Sequence, residues 1–219
     1  MTIPGEHEFQ VTDSELLLEA PILAVRRDTI LMPGGRAADR EIVEHFGAAA
    51  VVAFDGESIA LVRQYRHCVR DRLWELPAGL LDIADEPALT AAQRELVEEA
   101  GLVAGEWSLL VDLVTSPGFC EEACRIYLAR DLTAVHRPEA EDDEEADMTL
   151  EWFPLATARD MVLSGRIVNS IAIAGILTAD AVLSGRAEAR STDEPFTYRP
   201  RSLPGRRKAE GIVPDMKKL

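Results

Sequence analysis

The feature that most constrains this 219-residue chain is one stretch, Trp74 to Leu102 (WELPAGLLDIADEPALTAAQRELVEEAGL). It reads as a short strand, a glycine-bearing loop and a helix. Pro87 suits a first helical turn, where a missing N–H costs nothing, and Gly101 supplies a stop. The tract Thr90-Ala91-Ala92-Gln93 also fits a capping box, which would start the helix a turn later. At ~100° per residue, Leu89, Ala92, Leu96 and Ala100 share one face. Glu95, Glu98 and Glu99 fall on the neighbouring arc, with Glu95 and Glu99 one turn apart. Like charges at that spacing repel by roughly 0.2–0.5 kcal/mol per pair. Carboxylates crowded beside an apolar face want a cation, and oxygen-only ligands select a hard one such as Mg²⁺ or Mn²⁺. The competing reading is a solvated acidic helix face, because many charge runs are only surface.

The whole chain narrows the setting. A formal charge of −16 lacks the basic footprint of a nucleic-acid or membrane-surface binder. An anionic substrate would gain nothing from that global field, so local arginines or a metal must receive it. The start MTIPGEHEFQ has neither the positive region nor the apolar region of a secretory signal. No apolar run approaches the ~18–20 residues that span a bilayer. Cys68, Cys120 and Cys124 do not make a disulfide framework, and Cys120-x-x-x-Cys124 without a neighbouring histidine is a poor zinc site. The expectation is a cytoplasmic protein with reduced thiols.

In chain order, residues 1–14 are polar and read as a flexible N-terminus. Residues 15–46 read as a small β-unit with a turn at Met32-Pro33-Gly34-Gly35. Its strands are too few to be stable alone, so they must pack on this subunit or on a partner. The main domain, 47–190, begins with strands at Ala48–Phe54 and Ile59–Tyr65. After the central helix come strands at Trp107–Val114, Cys124–Ala129 and Met148–Phe153, then helices at Ala156–Ser164 and Asn169–Ser184. That mixture predicts an α/β (α+β) fold, a mixed sheet sandwiched between helices. Residues 191–219, rich in Pro, Gly, Lys and Arg toward their end, read as a disordered tail.

The motif points further. Arg94-Glu95-Leu96-Val97-Glu98-Glu99-Ala100-Gly101-Leu102 resembles the R-E-U-x-E-E-x-G-U core of the Nudix box (U being aliphatic), with Glu86 at the box's upstream acidic position. The chain therefore resembles the Nudix hydrolases, which cut nucleoside diphosphates linked to another group. Its loop from Gly79 to Glu86 is one residue longer than the family's pattern. That leaves open how Asp82, Asp85 and Glu86 divide the acidic roles. Downstream, Thr115-Ser116-Pro117-Gly118-Phe119 is similar to the signature of the ADP-ribose pyrophosphatase subgroup, as are Leu76-Pro77-Ala78-Gly79 and Arg40-Glu41-Ile42-Val43-Glu44.

The resemblance implies roles. Metal would be held by the Ala78 carbonyl and the carboxylates of Glu95 and Glu99, with Glu98 and Glu86 as further ligands and Glu98 also able to orient a metal-bound water. Arg66 would contact phosphate oxygens, for which a planar fork is suited. Ser116, Gly118 and Glu122 would line the terminal ribose, Arg40 would face the adenine, and Asp82 would be a further substrate contact. Glu145, or its neighbour Glu144, would act as the base from a mobile acidic loop over residues 139–147. Trp74 reads as core packing. The implied protein is an Mg²⁺-dependent ADP-ribose hydrolase, with Mn²⁺ as the alternative metal. The β-unit would be exchanged in a homodimer, with no nucleic-acid or membrane partner. Hydrolysis of another nucleoside diphosphate compound, or a sensor that binds nucleotides without cutting them, are the rival expectations.

Overall fold

The structure, a computed structural model, describes residues 5–138 and 147–218. They form ten strands and four helices. β1 (Val11–Glu19), β2 (Leu23–Leu31) and β3 (Ala37–His45) make an antiparallel meander. Its turn is closed by the Met32 N–H donating to the Arg36 carbonyl at 2.8 Å. β1 starts at Val11, so the expected loose N-terminus already contributes to the first strand.

The core is built on β4 (Ala48–Ala53), whose sequence AAAVVA is buried at every position. It runs parallel to β9 (Ala123–Ala134) and antiparallel to β7 (Ala78–Leu80). With β8 (Leu102–Val114) the sheet order is β7-β4-β9-β8. A continuous apolar run is what a strand covered on both faces requires. Ala50, Val52, Ile126 and Leu128 pack on one side with Ala158 and Met161 of α2 (Leu155–Leu163) and Ala172, Ile176 and Ala179 of α3 (Ser170–Leu183). Ala49, Val51, Tyr127 and Ala129 pack on the other with Ala91, Ala92 and Leu96 of α1 (Ala88–Ala100). Helices thus cover both faces, as the sequence predicted. A second sheet, β10-β5-β6, is formed by β5 (Ser58–Arg66), β6 (Asp71–Glu75) and β10 (Thr149–Pro154). Trp74 meets Phe153 edge-on at 5.1 Å between ring centroids, a packing role as expected. No helix among the described residues is long and apolar enough to cross a membrane.

The C-terminal segment corrects the sequence reading. Residues 191–218, expected to be a disordered tail, are packed as a strap that ends in α4 (Ser202–Ala209) and a loop beyond it. The Arg190 and Leu109 backbones exchange hydrogen bonds of 2.8 and 2.9 Å. Arg125, only 3% exposed, donates to the carbonyls of Glu194 and Pro195 while gripping Asp112 with two nitrogens. Leu203 and Met216 then close a small core with Ala24 and Phe46. Arg207, fully buried, donates to Glu19 at 2.6 Å and to the Ala20 carbonyl at 2.8 Å. Arg206 binds Glu44, itself buried. Charges leave water at this cost only when paired. The composition misled because Arg206 answers a buried acid and Arg207 is itself buried against Glu19 and the Ala20 carbonyl, so neither is a solubilising group. The strap is also what the N-terminal β-unit packs on within its own subunit.

Candidate active site

Helix α1 starts after Pro87, whose carbonyl accepts from the Ala91 N–H at 3.1 Å, and ends where Gly101 turns left-handed at φ 63°. The later start at Thr90 is not used. Glu95 and Glu99 lie within the buried face of the helix beside Ala92, Leu96 and Ala100, while Glu98 is half-exposed. Buried carboxylates must be satisfied. Glu99 Oε2 accepts from the Ala78 N–H at 2.9 Å. Glu95 Oε1 stands 2.6 Å from Arg94 Nη1, and the same guanidinium takes Glu98 at 3.0 Å and Glu86 at 3.2 and 3.3 Å. Burial pushes the Glu95 carboxyl up to about 7 against the pull of Arg94, and the nearby Glu98 and Asp82 add to the rise.

Strand β7 brings backbone to these carboxylates. Val51 N–H donates to Pro77 and Leu81 N–H to Gly47, which makes Ala49–Gly79 a hydrogen-bonded pair of the antiparallel ladder. Ala78, one residue along and opposite Ala50, therefore turns both its N–H and its carbonyl to the outer edge of the sheet, toward α1. Gly79 is required here because a Cβ would overlap the Glu95 carboxyl group. Among the described residues no three His, Cys, Asp or Glu side chains are already gathered into a metal cage. Arg94 and the Ala78 N–H hold the carboxylates instead.

The longer loop divides its acids. Glu86 joins the cluster through Arg94. Asp85, left-handed at φ 63°, projects outward to Lys208. Asp82 is buried at 3% exposure and faces Lys217 of the strap at 2.7 Å. Covered in this way, it does not suit the substrate contact expected of it.

Beside the cluster lies a cleft of ≈ 620 Å³ lined by Ala78, Gly79, Arg66, Ser116 and Glu122, among others. Arg66 is clamped by Glu75 through two hydrogen bonds of 3.0 and 2.8 Å, which fixes its guanidinium at the cleft wall. Glu122 accepts from the Thr115 hydroxyl at 2.5 Å. Arg40 and Gly118 line a second cavity of ≈ 630 Å³ with Arg26, Glu121 and the strap residues Tyr198 and Arg199. The turn closed by Phe119 and Cys120 N–H groups on the Ser116 carbonyl lies between the two groups of residues. The structure thus brings Ala78, Glu86, Glu95, Glu98 and Glu99 together and places Arg66, Ser116 and Glu122 beside them. Within one subunit it sets Arg40 and Gly118 apart. Glu144 and Glu145 lie outside the described residues.

Two residues went unassigned by sequence reasoning. Arg94 organises three carboxylates, and its place in the motif was the available signal. His45 lines the cleft, its Nδ1 accepting from the Gly47 N–H at 3.1 Å and lying 3.6 Å from Glu122. Burial lowers its pKa despite Glu122 and Glu121. No periodicity or motif marked it.

Comparison with known proteins gives the family. Residues 43–168 match the Nudix domain, and residues 9–43 match the N-terminal domain of nucleoside diphosphate sugar hydrolases. The chain is 54% identical over 204 residues to the ADP-ribose pyrophosphatase of Mycobacterium tuberculosis, covering 93% of this chain and 98% of that protein. It is 34% identical over 149 residues to the ADP-ribose pyrophosphatase of Bacillus subtilis, covering 66% of this chain and 80% of that one. The crystal structure of an ADP compounds hydrolase superposes with a TM-score of 0.73 over 83% of this chain and 97% of its own, at 20% identity, and so shares the fold. With the domain match spanning over half its length and one relative aligned nearly end to end, the chain belongs to the Nudix family of hydrolases.

Proposed function

We propose that this hydrolase cuts the pyrophosphate of ADP-ribose. Water adds to one phosphorus, the bond from that phosphorus to the bridging oxygen breaks, and AMP and ribose 5-phosphate leave. The observation that carries the reading is the packing of Glu95 and Glu99 against the outward edge of Ala78–Gly79, at the cleft that holds Arg66. The donor set is all oxygen, partly desolvated and short of positive charge, which fits a hard divalent ion, Mg²⁺ or Mn²⁺. When bound, that ion would neutralise the diphosphate and acidify the attacking water. Glu95, Glu99 and the Ala78 carbonyl would hold it, with Glu86 and Glu98 as further ligands. Arg66, oriented by Glu75, receives phosphate oxygens. Ser116 and Glu122 line the terminal ribose. The general base is assigned by resemblance to Glu145 or Glu144.

We further propose a cytoplasmic homodimer. β1 is exposed at every position and presents Leu16, Leu17 and Leu18, with Phe9 and Ile22 nearby. An apolar row of this kind on an edge strand is a ready surface for a second copy. The partner's β-unit would complete the adenine site near Arg40. A monomer in sedimentation at micromolar concentration would remove that part of the reading.

The enzymatic test is AMP release from ADP-ribose with Mg²⁺, with EDTA and with Glu99→Gln. Metal-dependent release lost in the variant is the expected result. Turnover of GDP-mannose or NADH without turnover of ADP-ribose would keep the chemistry and replace the substrate. Nucleotide binding without hydrolysis of any of them would point to a sensor.

A further inference from the structure

The loop from Leu81 to Glu86 carries no regular structure, yet it delivers Glu86 to the carboxylate cluster. The strap holds it from outside at successive residues. The Ala84 N–H donates to the Pro214 carbonyl at 2.8 Å, and the Met216 N–H donates to the Asp82 carbonyl at 2.9 Å, so the two chains pair like a fragment of sheet around Ile83 and Asp215. Arg199 Nη2 donates to the Glu86 carbonyl at 3.0 Å. Lys217 Nζ lies 2.7 Å from Asp82 Oδ2, the one side chain of the loop that is almost fully buried and charged. From there the contacts continue inward: Glu86 to Arg94, and Arg94 to Glu95 and Glu98.

We propose that Lys217, presented by the strap, is a positioning residue for the metal-binding carboxylates. It ties Asp82, and with it the loop that carries Glu86 and steadies Arg94, into the arrangement that Glu95 and Glu98 need. The inference rests on the assignment of metal to Glu95 and Glu99 made above. A packing role alone does not account for it, because the strap is already anchored by Leu203, Met216 and Arg207, whereas the Lys217 side chain is 45% exposed and still sets its ammonium 2.7 Å from a buried carboxylate. Nor does a simple charge role. A cation beside Asp82 that also feels the charge of Glu95 opposes an incoming divalent ion, so its removal as a charge would tighten metal binding. Its removal as a tether would weaken it. The sign separates the two.

The test measures free Mn²⁺ by electron paramagnetic resonance during titration with the full-length protein, beside the Mg²⁺ dependence of ADP-ribose hydrolysis. Lys217→Met should weaken Mn²⁺ binding and raise the half-saturating Mg²⁺ by about tenfold, the lower end of what loss of support around a metal site costs. The KM for ADP-ribose at saturating Mg²⁺ should stay unchanged, and Lys217→Arg should restore the native values. The double variant Asp82→Asn with Lys217→Met, which leaves no unpaired buried charge, should fold and bind as weakly as Lys217→Met. Unchanged or tighter Mn²⁺ binding in Lys217→Met overturns the proposal while leaving the carboxylate assignment intact. Native Mn²⁺ binding in both Glu95→Gln and Glu99→Gln overturns the assignment and the proposal with it.

Discussion

Helix α1 and the C-terminal strap are both charged segments, and they reveal their roles at different levels. In α1 the charges and the apolar residues share one short helical repeat, so the spacing of Glu95, Leu96 and Glu99 already marks one face on which acidic and apolar residues are buried together. The strap carries Arg199, Arg206, Arg207, Lys208 and Lys217 with sparse apolar residues between them, and by composition it resembles a solvated tail. Its partners are remote: Glu86 is 113 residues from Arg199, and Asp85 is 123 residues from Lys208. The lesson is that local spacing shows where charge is concentrated, whereas only the fold shows which charge is answered from a distance.

The sharpest way to test the α1 side is Glu99→Gln. Glutamine keeps an oxygen to accept the Ala78 N–H and removes only the negative charge. Activity on ADP-ribose should fall by about 10³-fold, on the order of 4 kcal/mol in the barrier, with the melting temperature nearly unchanged. A large loss of stability with modest loss of rate would mean that Glu99 is a structural acid and that α1 is no more functional than the strap.

The strap side is tested next by Leu203→Ala. Leu203 is fully buried with Phe46, Ala24 and Met216, so truncation should cost about 3 kcal/mol of unfolding free energy in chemical denaturation. A disordered tail would give no change at all.

Much of the fold was legible because the residues that decide it act over a few positions. The alanine and valine run of β4, the left-handed Gly101 and the Glu95–Glu99 spacing all belong to that class. The candidate site was legible in the residues its motif names but not in what supports them. Gly79 matters because of a helix sixteen positions later in the chain, through Glu95. Arg94 stands inside the motif, yet its hold on Glu86, Glu95 and Glu98 together is a three-dimensional fact. Ser116 and Gly118 are two residues apart but open on different cavities, because the intervening chain turns sharply. Asp82 looked like a site residue by its place in the loop, and the strap that covers it could not be foreseen from that place.

A smaller effect comes from pH. The Glu95 carboxyl sits at about 7 in the folded protein against an ordinary value of 4.5. Between those values the folded metal-free protein keeps a proton that the unfolded chain has lost. Its contribution to stability is therefore fullest below pH 4.5 and is lost as the pH rises through about 7, at a limiting slope on the order of 1 kcal/mol per unit. The metal binding proposed for Glu95 would work in the opposite direction, because a ligand must be ionised, so affinity should rise over the same window with release of a proton. Melting curves of metal-free protein from pH 5 to 8, compared with Glu95→Gln, check this. The difference between the two should shrink toward acid pH, and parallel curves would place the ionisation elsewhere.

The smallest expected effect lies on the strap itself and asks what makes one of its cations matter. Lys208 and Lys217 each reach an aspartate of the same loop at closely similar distances, 2.5 and 2.7 Å. Distance alone would rank them equal. The acids differ: the Asp85 side chain is 85% exposed and the Asp82 side chain 4%. Water and salt screen the first pair, and ordering two long side chains offsets most of its attraction, so Lys208→Ala should cost at most about 0.5 kcal/mol in denaturation and less in high salt. The second pair has no such screening on the acid's side, and losing its cation leaves a buried carboxylate unanswered. If Lys208→Ala proved as costly as Lys217→Met, burial of the acid would not be what gives the strap its hold on the loop. The backbone pairing at Ala84 and Asp82 would then have to carry it alone.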